Sequence, residues 1–239
     1  MPQYIDVKLK SDVSLSGKTF VTGFHGIGLV GYVTVRYLVK KLEAKKIGFI
    51  VTESMPPIIT MENGEIKPPL ELYIYRHVVF MYAESPPTAR IHQFSRGISE
   101  WVIKSGFEKA LLVGGLDSSY STSANPEDNL RIIKTSQYNG LRKGASTLED
   151  GLFVVGPLAL LMLNFYIADF PALAVLPYAS RDKVDLRASA TAIQFINQEL
   201  DLDVNVDELI LNAKRIEDEA LKSAESHANL SSESLRYIM

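Results

Sequence analysis

The sequence contains no cysteine among its 239 residues. Disulfide bonds, thiolate nucleophiles and cysteine-ligated zinc sites are therefore excluded. An excess of one charge is also absent, because 25 basic and 28 acidic residues give a net charge of −3 without a long run of either sign. Nucleic-acid binding requires a basic face that displaces phosphate counterions. We therefore expect no nucleic acid as a partner.

The sequence is also poor in catalytic patterns. Its four histidines, His25, His77, His92 and His227, show no metal-ligand spacing, and no HExxH motif occurs. It has neither the G-x-S-x-G elbow of serine hydrolases nor a P-loop. Because no base is placed beside a nucleophile, we predict no catalytic residues, no metal and no cofactor.

One segment has the length of a membrane span. Gly151–Ala168, "GLFVVGPLALLMLNFYIA", carries no charge, and about 20 apolar residues cross a bilayer. Gly156–Pro157 interrupts it, Asn164 is polar, and Asp150 and Asp169 lie at its two ends. We interpret it as a short strand, a Gly-Pro break and a buried helix with proline in its first turn. The N-terminus lacks a signal-peptide pattern, so we expect a soluble cytoplasmic protein without a membrane partner.

Apolar strands alternate with glycine-bearing turns and helices along the chain. Strands are predicted at Thr19–Phe24 and Lys46–Ser54, a helix at Ile27–Leu42, and a β-hairpin from Leu70–Tyr75 and Val78–Tyr82. This alternation predicts an α/β fold with a mostly parallel central sheet that helices cover on both faces. No linker is evident, so we predict a single domain over 1–239 with its core at about residues 18–200.

The end of the sequence has a different pattern from the core. Val206–Ala228 places Leu209, Ala213 and Ile216 in one apolar stripe with charged residues on the other faces. This spacing predicts a long amphipathic C-terminal helix that packs on its own domain or on a sister subunit. The serine-rich residues 229–239 are predicted to form a flexible tail.

The stretch "GFHGIGLVG" allows two interpretations. Gly26, Gly28 and Gly31 have the Gly-x-Gly-x-x-Gly spacing of dinucleotide loops, and Glu53 follows Gly31 by 22 residues. An acidic residue about 20 positions on can bind a ribose hydroxyl. Alternatively, the glycines permit positive φ and close packing of a helix on a sheet. The first interpretation predicts a ligand site and the second a fold feature.

Five ordered blocks carry a resemblance to a known family. They read "GFHGIGLVGYVTVRYLV", "ESMPP", "LLVGGL", "EDGLFVVGPLALLML" and "PALAVLPYA". In this order, over about residues 18–200, they resemble the proteasome assembly chaperone 2 family, whose archaeal members are soluble homologues of eukaryotic chaperones for the proteasome's α-ring. The resemblance implies a three-layer α/β/α fold, no established catalytic centre, homo-oligomerisation, and binding to proteasomal α-subunits or the 20S core particle.

The last residues are candidates for that binding. The sequence ends in Leu235, Arg236, Tyr237, Ile238 and Met239. Proteins that bind the proteasome often end in a hydrophobic residue, tyrosine and any residue, which insert between α-subunits. Here Tyr237 is third from the end and Arg236 precedes it, so the pattern is displaced. The tail could bind the proteasome in a shifted register, bind elsewhere, or fold back on its own oligomer.

Three functions are compatible with these patterns. The first is a non-enzymatic proteasome assembly chaperone homologue that binds through surface complementarity, with Leu235, Tyr237, Ile238 and Met239 as contact residues. The alternative is an enzyme that acts on a nucleotide or nucleoside through the glycine-rich loop Gly23–Gly31, with Glu53 and the loop Gly114–Ser119 completing its pocket; all three follow predicted strands. A third option is a purely structural oligomer whose tail closes the assembly.

Overall fold

The computed structural model describes residues 4–10, 12–62, 64–85, 87, 89–121, 125, 128–141 and 144–216. Residues 217–228 of the predicted C-terminal helix lie outside the described residues. The same holds for the predicted tail, including Leu235, Tyr237, Ile238 and Met239.

Within the described residues, twelve strands and four complete α-helices form, followed by the start of a C-terminal helix at 207–216. The strands are β1 (Asp6–Leu9), β2 (Thr19–Gly23), β3 (Lys45–Val51), β4 (Thr60–Glu62), β5 (Glu65–Lys67), β6 (Leu70–Tyr75), β7 (Val78–Ala83), β8 (Lys109–Val113), β9 (Leu116–Asp117), β10 (Leu130–Lys134), β11 (Ser146–Thr147) and β12 (Ala172–Ala179). The helices are α1 (Val30–Lys41), α2 (Ile91–Lys104), α3 (Pro157–Ile167) and α4 (Leu186–Leu200). Short 3₁₀ turns precede α1 and follow β9.

Ten strands join in one sheet with the order β1-β3-β6-β7-β2-β8-β12-β10-β11, and β9 pairs with the end of β12. The central strands β7, β2, β8 and β12 run parallel. The remaining neighbours on either side are mainly antiparallel, because the predicted hairpin β6–β7 is part of the sheet and β10 returns beside β12. The sheet is therefore mixed, and the prediction of a mostly parallel sheet is wrong.

Helices cover both faces of the sheet. α1 packs beside α4 on one face, and α2 packs beside α3 on the other. Adjacent residues of β2 pack on opposite faces of the sheet. Phe20 lies in the core under α2 and α3, and Val21 lies in the core under α1 and α4. This alternation follows from the two-residue period of a strand. On α2, Phe94 and Ile98 are buried as their helical spacing predicts.

The uncharged segment before and within α3 differs from its prediction. Pro157 begins α3 after Gly156, whose φ is 80°, as expected for proline at a helix start. Residues 152–155, however, pair with no strand among the described residues, so the strand predicted there is wrong. Their alternating burial follows the two-residue period of an extended chain. α3 is not fully buried either, since Leu163, Tyr166 and Ile167 are exposed.

The C-terminal helix is described over residues 207–216. Leu209 and Ala213 are buried, and Leu209 joins the core under α1 and α4, whereas Leu211 and Ile216 are exposed. Its first part therefore packs on its own domain. No helix in the described part of the chain is long and apolar enough to span a bilayer.

Candidate functional site

The loops that follow β2, β8 and β12 lie side by side at one edge of the sheet and enclose a cavity of about 270 Å³. The segment 152–155 and the first turn of α3 complete its wall. Parallel strands present their carboxyl ends on one edge, which is where α/β folds place binding sites. We take this cavity as the candidate functional site.

The glycine loop after β2 forms one wall by close backbone packing. A Cβ atom on Gly31 would lie 2.4 Å from the Val113 carbonyl oxygen, and one on Gly115 would lie 2.4 Å from the Ile27 carbonyl oxygen. Gly28 has a φ of 61°, and a Cβ there would lie 2.9 Å from that of Ala179. The glycines thus bring three loops into backbone contact. Gly26 differs, because its Cβ position faces open space.

Glu53 does not reach the glycine loop. It follows β3, and β6 and β7 separate β3 from β2 in the sheet. Three strand spacings of about 4.8 Å place the two strands roughly 14 Å apart. The Glu53 carboxylate is 87% exposed and accepts a hydrogen bond from Arg90 Nη1 at 3.0 Å. The structure thus brings Gly26, Gly28 and Gly31 together but not Glu53, and a ligand at the glycine loop stays a prediction.

A charged pair lies at the rim of the cavity. Asp117 Oδ1 accepts a hydrogen bond from the Ser119 N–H at 3.0 Å, and Asp117 Oδ2 accepts one from Arg181 Nε at 2.8 Å. These two bonds, the backbone one first, lower the pKa of Asp117. In the part of the chain that the structure describes, neither Nη group of Arg181 has a hydrogen-bond partner. Arg181 therefore presents one end of its guanidinium to a ligand.

The extended segment 152–155 forms the opposite wall. Leu152 and Val154 pack into the core, while Phe153 is 77% and Val155 is 74% exposed. Phe153, Val154 and Val155 make no backbone hydrogen bond to any described residue. The segment therefore combines exposed apolar side chains with backbone donors and acceptors that have no backbone partner among the described residues.

Glu149 anchors the start of this segment. Its Oε1 accepts a hydrogen bond from Arg131 Nε at 2.6 Å and one from the Tyr178 hydroxyl at 3.3 Å. Arg131 is 4% exposed at its side chain and also contacts Asp128 at 2.6 Å. Glu149 O accepts the Leu152 N–H at 3.2 Å. A buried cation thus fixes the position at which the extended segment begins.

A polar cluster lies on the other side of the glycine loop. The Tyr32 hydroxyl donates to Glu84 Oε1 at 3.1 Å, and the Tyr82 hydroxyl donates to Glu84 Oε2. Burial and the bond to Glu84 raise the pKa of Tyr82 well above its usual value. The His25 ring stacks edge-on against Tyr32 at 4.4 Å between centroids. With its proton held tightly, Tyr82 serves as a hydrogen-bond donor and not as a base.

Sequence patterns located only part of this site. The glycines and the loop with Asp117 stand out in the sequence, because both follow predicted strands. Phe153, Val155 and Arg181 were missed. Apolar residues on both sides of an extended run resemble a buried strand, and an arginine after a strand carries no distinguishing signal.

The fold has been seen before in solved structures. PbaA of Pyrococcus furiosus, described as an archaeal homolog of proteasome-assembly chaperone, superposes with a TM-score of 0.78 at 22% identity, covering 97% of this chain and 96% of that one. PbaB of the same organism, described as an archaeal proteasome activator, superposes with a TM-score of 0.73 at 18% identity, covering 94% of this chain and 100% of that one. At these identities the likeness shows a shared fold.

The family follows from the sequence itself. The profile of the PAC2 family matches residues 20–224, so the chain belongs to the PAC2 family. This confirms the resemblance that the ordered sequence blocks carry. An uncharacterised protein of Methanocaldococcus jannaschii is 24% identical over 234 residues, which is 94% of this chain and 93% of that protein.

Proposed function

We propose that this protein is a non-enzymatic proteasome assembly chaperone homologue. It acts in the cytoplasm as a single-domain subunit of a homo-oligomer and binds proteasomal α-subunits or the 20S core particle. The observation that carries the proposal is the PAC2 family match over residues 20–224. The two P. furiosus proteins that share the fold are described as a homolog of proteasome-assembly chaperone and as a proteasome activator.

Exposed apolar side chains support a role in protein binding. Leu163, Tyr166 and Ile167 form one exposed side of α3, and Phe153 and Val155 precede that helix. Contiguous apolar surface of this kind is typical of protein–protein interfaces. Because α3 carries no charged residue, its exposed side resembles the uncharged centre of a permanent interface. We assign this side of α3 to contacts between subunits.

The proteasome contact is assigned to the C-terminal residues Leu235, Tyr237, Ile238 and Met239. Their aromatic and aliphatic side chains suit insertion into a pocket between α-subunits. The displaced position of Tyr237 requires a register one residue away from the usual hydrophobic-Tyr-any pattern.

Native mass spectrometry of the full chain mixed with proteasomal α-subunits tests this proposal. We expect a complex that weakens at least about tenfold in the variant Tyr237→Ser/Ile238→Ser, since an inserted anchor side chain contributes 2 kcal/mol or more. The matched control, Ser231→Ala/Ser234→Ala, changes the same segment without removing apolar side chains and is expected to bind normally.

The outcomes separate the parts of the proposal. A complex that persists in the Tyr237→Ser/Ile238→Ser variant moves the contact to the folded domain and contradicts the tail assignment. If no complex forms with α-subunits or with the 20S core particle, the proposed function is wrong. Titration with a panel of nucleotides then tests the alternative site at Gly26, Gly28 and Gly31.

A further inference from the structure

The segment 152–155, the cavity beside it and Arg181 together form a groove, here called the Phe153 groove. One side of this groove is a backbone edge that pairs with no described residue. Phe153, Val154 and Val155 are extended and make no backbone hydrogen bond to any described residue. Such an edge pairs readily with another extended chain, because each added residue gains main-chain hydrogen bonds.

The cavity in the groove has the dimensions of a side-chain pocket. Its volume is about 270 Å³, which lies just below the roughly 300–1,000 Å³ of small-molecule sites. Most of its wall is apolar, with contributions from Phe24, Leu116, Leu158 and Leu176. One large side chain fits such a cavity, whereas a dinucleotide is too large. The backbone contacts of Gly31 and Gly115 keep one wall in place.

The Arg181 guanidinium gives the groove a binding point for an anionic group. Asp117 holds Arg181 through Nε at 2.8 Å, and both Nη groups lack a partner among the described residues. The Arg181 side chain is 63% exposed at the cavity rim. A guanidinium with its Nη groups available binds a carboxylate in a two-pronged geometry. Asp117 leaves the rim with no net charge, which disfavours a highly charged phosphate ligand.

From these three features we infer that the Phe153 groove binds the C-terminal end of an extended polypeptide. The terminal carboxylate pairs with Arg181, a large apolar side chain near the end enters the cavity, and the preceding residues add as a strand along residues 153–155. This combination of strand addition and carboxylate capture is a known mode of peptide recognition. The inference concerns this domain alone and does not rest on proteasome binding.

Fluorescence anisotropy with one synthetic peptide tests the inference. The probe is fluorescein-labelled SSESLRYIM, which combines apolar residues at alternate positions with a free carboxylate; its carboxamide is the control. The full chain is used with Tyr237→Ser, Ile238→Ser and Met239→Ser, so that its own copy of this sequence does not compete. We expect saturable binding of the acid, and binding of the carboxamide that is about tenfold weaker because the charge-assisted pair is lost.

Three substitutions assign the binding to the groove. In the Arg181→Gln variant, the acid is expected to bind as weakly as the carboxamide, and carboxamide binding is expected to stay unchanged. The Val155→Asp substitution introduces a charge beside the added strand and is expected to weaken both peptides at least about tenfold. Its matched control is Ile59→Asp, at an equally exposed apolar residue outside the groove, and this variant is expected to bind normally.

Amide hydrogen exchange gives a measurement that does not depend on any groove variant. Addition of the acid peptide is expected to slow exchange at Phe153–Val155, because strand addition pairs their N–H groups. If the tail-substituted chain binds the peptide more tightly than the natural chain does, this also supports peptide binding in the Phe153 groove. It would show that the chain's own residues 235–239 compete for the groove.

Several results would overturn the inference. These are equal affinity for acid and carboxamide, equal losses in the Val155→Asp and Ile59→Asp variants, or no binding to the tail-substituted chain. Failure here is distinguishable from failure of the proposed function, since α-subunit binding is measured separately and with the natural tail.

Discussion

Gly31 and Gly26 belong to the same loop but have opposite surroundings. A Cβ atom on Gly31 would lie 2.4 Å from the Val113 oxygen and 2.8 Å from the Phe24 nitrogen, and both are backbone atoms that cannot rotate away. A Cβ atom on Gly26 meets nothing within 4 Å, and its φ of −168° suits any residue. Only one of the two positions requires glycine for steric reasons.

We therefore expect Gly31→Ala to lower the free energy of unfolding by about 2 kcal/mol or more, as overpacking against rigid neighbours does. Gly26→Ala is expected to change it by less than about 0.5 kcal/mol. Urea denaturation of both variants measures the difference. Equal stability of the two variants would contradict the packing role of Gly31 and favour a ligand role for the motif.

Single residues could be predicted from the sequence where a motif marks them. The motif predicted that Gly28 and Gly31 lie at a strand-to-helix turn, and both interpretations of it required glycine. The sequence could not predict which glycine meets backbone, because the atoms that approach Gly31 and Gly115 belong to a neighbouring loop. Arg181 was unpredictable for the same reason: its partner Asp117 is distant in sequence.

At the scale of one element, the extended segment 152–155 depends on its anchor at Glu149. Arg131, which is almost fully buried, donates to Glu149 at 2.6 Å, and this bond is the main cause of the lowered pKa of Glu149. A carboxyl group whose pKa is lower in the folded state stabilises the fold above its unfolded pKa of about 4.3. That contribution is lost as the pH falls through the folded-state pKa.

We expect Glu149→Gln to lower the free energy of unfolding by about 1.5 kcal/mol at pH 7, since the hydrogen bond from Arg131 then has a neutral acceptor in place of a carboxylate. The difference from the natural chain should shrink as the pH falls below about 4.3, where Glu149 of the unfolded chain becomes protonated, and vanish below the lower pKa of the folded state. Denaturant titrations across this pH range provide the measurement. Glu53→Gln, at the exposed pair with Arg90, is the control and should cost less than about 0.5 kcal/mol. A difference that is constant with pH would contradict the anchoring role of the carboxylate.

Elements with clear periodicity were predictable, and those without it were not. The hairpin β6–β7 and the helix α1 lie where apolar spacing and turn residues predicted them. The segment 152–155 has the composition of a core strand, but no strand among the described residues pairs with it. The surroundings of this segment depend on where α3 packs on the sheet. The spacing of apolar residues does not predict where a helix packs.

At the scale of the whole molecule, we expect copies in the proposed oligomer to associate through the exposed side of α3. We expect Tyr166→Glu to reduce the number of subunits, because a charge at the centre of an apolar interface is costly to desolvate. The folded subunit should keep its stability, since Tyr166 is 64% exposed.

Light scattering coupled to size-exclusion chromatography measures the subunit number. Ile59→Glu is the matched control, because Ile59 is 67% exposed and lies before the β4–β5 hairpin, away from α3. An unchanged mass for the Tyr166→Glu variant, or an equal loss in the control, would show that subunits meet through another surface.

The order of strands was the least predictable feature at this scale. Strand–helix alternation correctly predicted an α/β fold with helices on both faces, and the ordered sequence blocks correctly indicated the PAC2 family. Neither the alternation nor the blocks could predict that the antiparallel strands β6 and β7 lie between β3 and β2. The spacing from Gly31 to Glu53 suggested proximity because adjacent strands are usual in a dinucleotide-binding unit, and here the chain departs from that arrangement.

The backbone contacts among the loops after β2 and β8 also limit how this sequence can vary over time. Gly31 meets Phe24 and Val113, Gly115 meets Ile27, and Gly23 meets Gly31 itself. A side chain gained at any one of these glycines requires the partner loop to move away, which in turn changes the space at the others. We therefore expect substitutions at Gly23, Gly31 and Gly115 to covary among related sequences. Packing places no such constraint on Gly26.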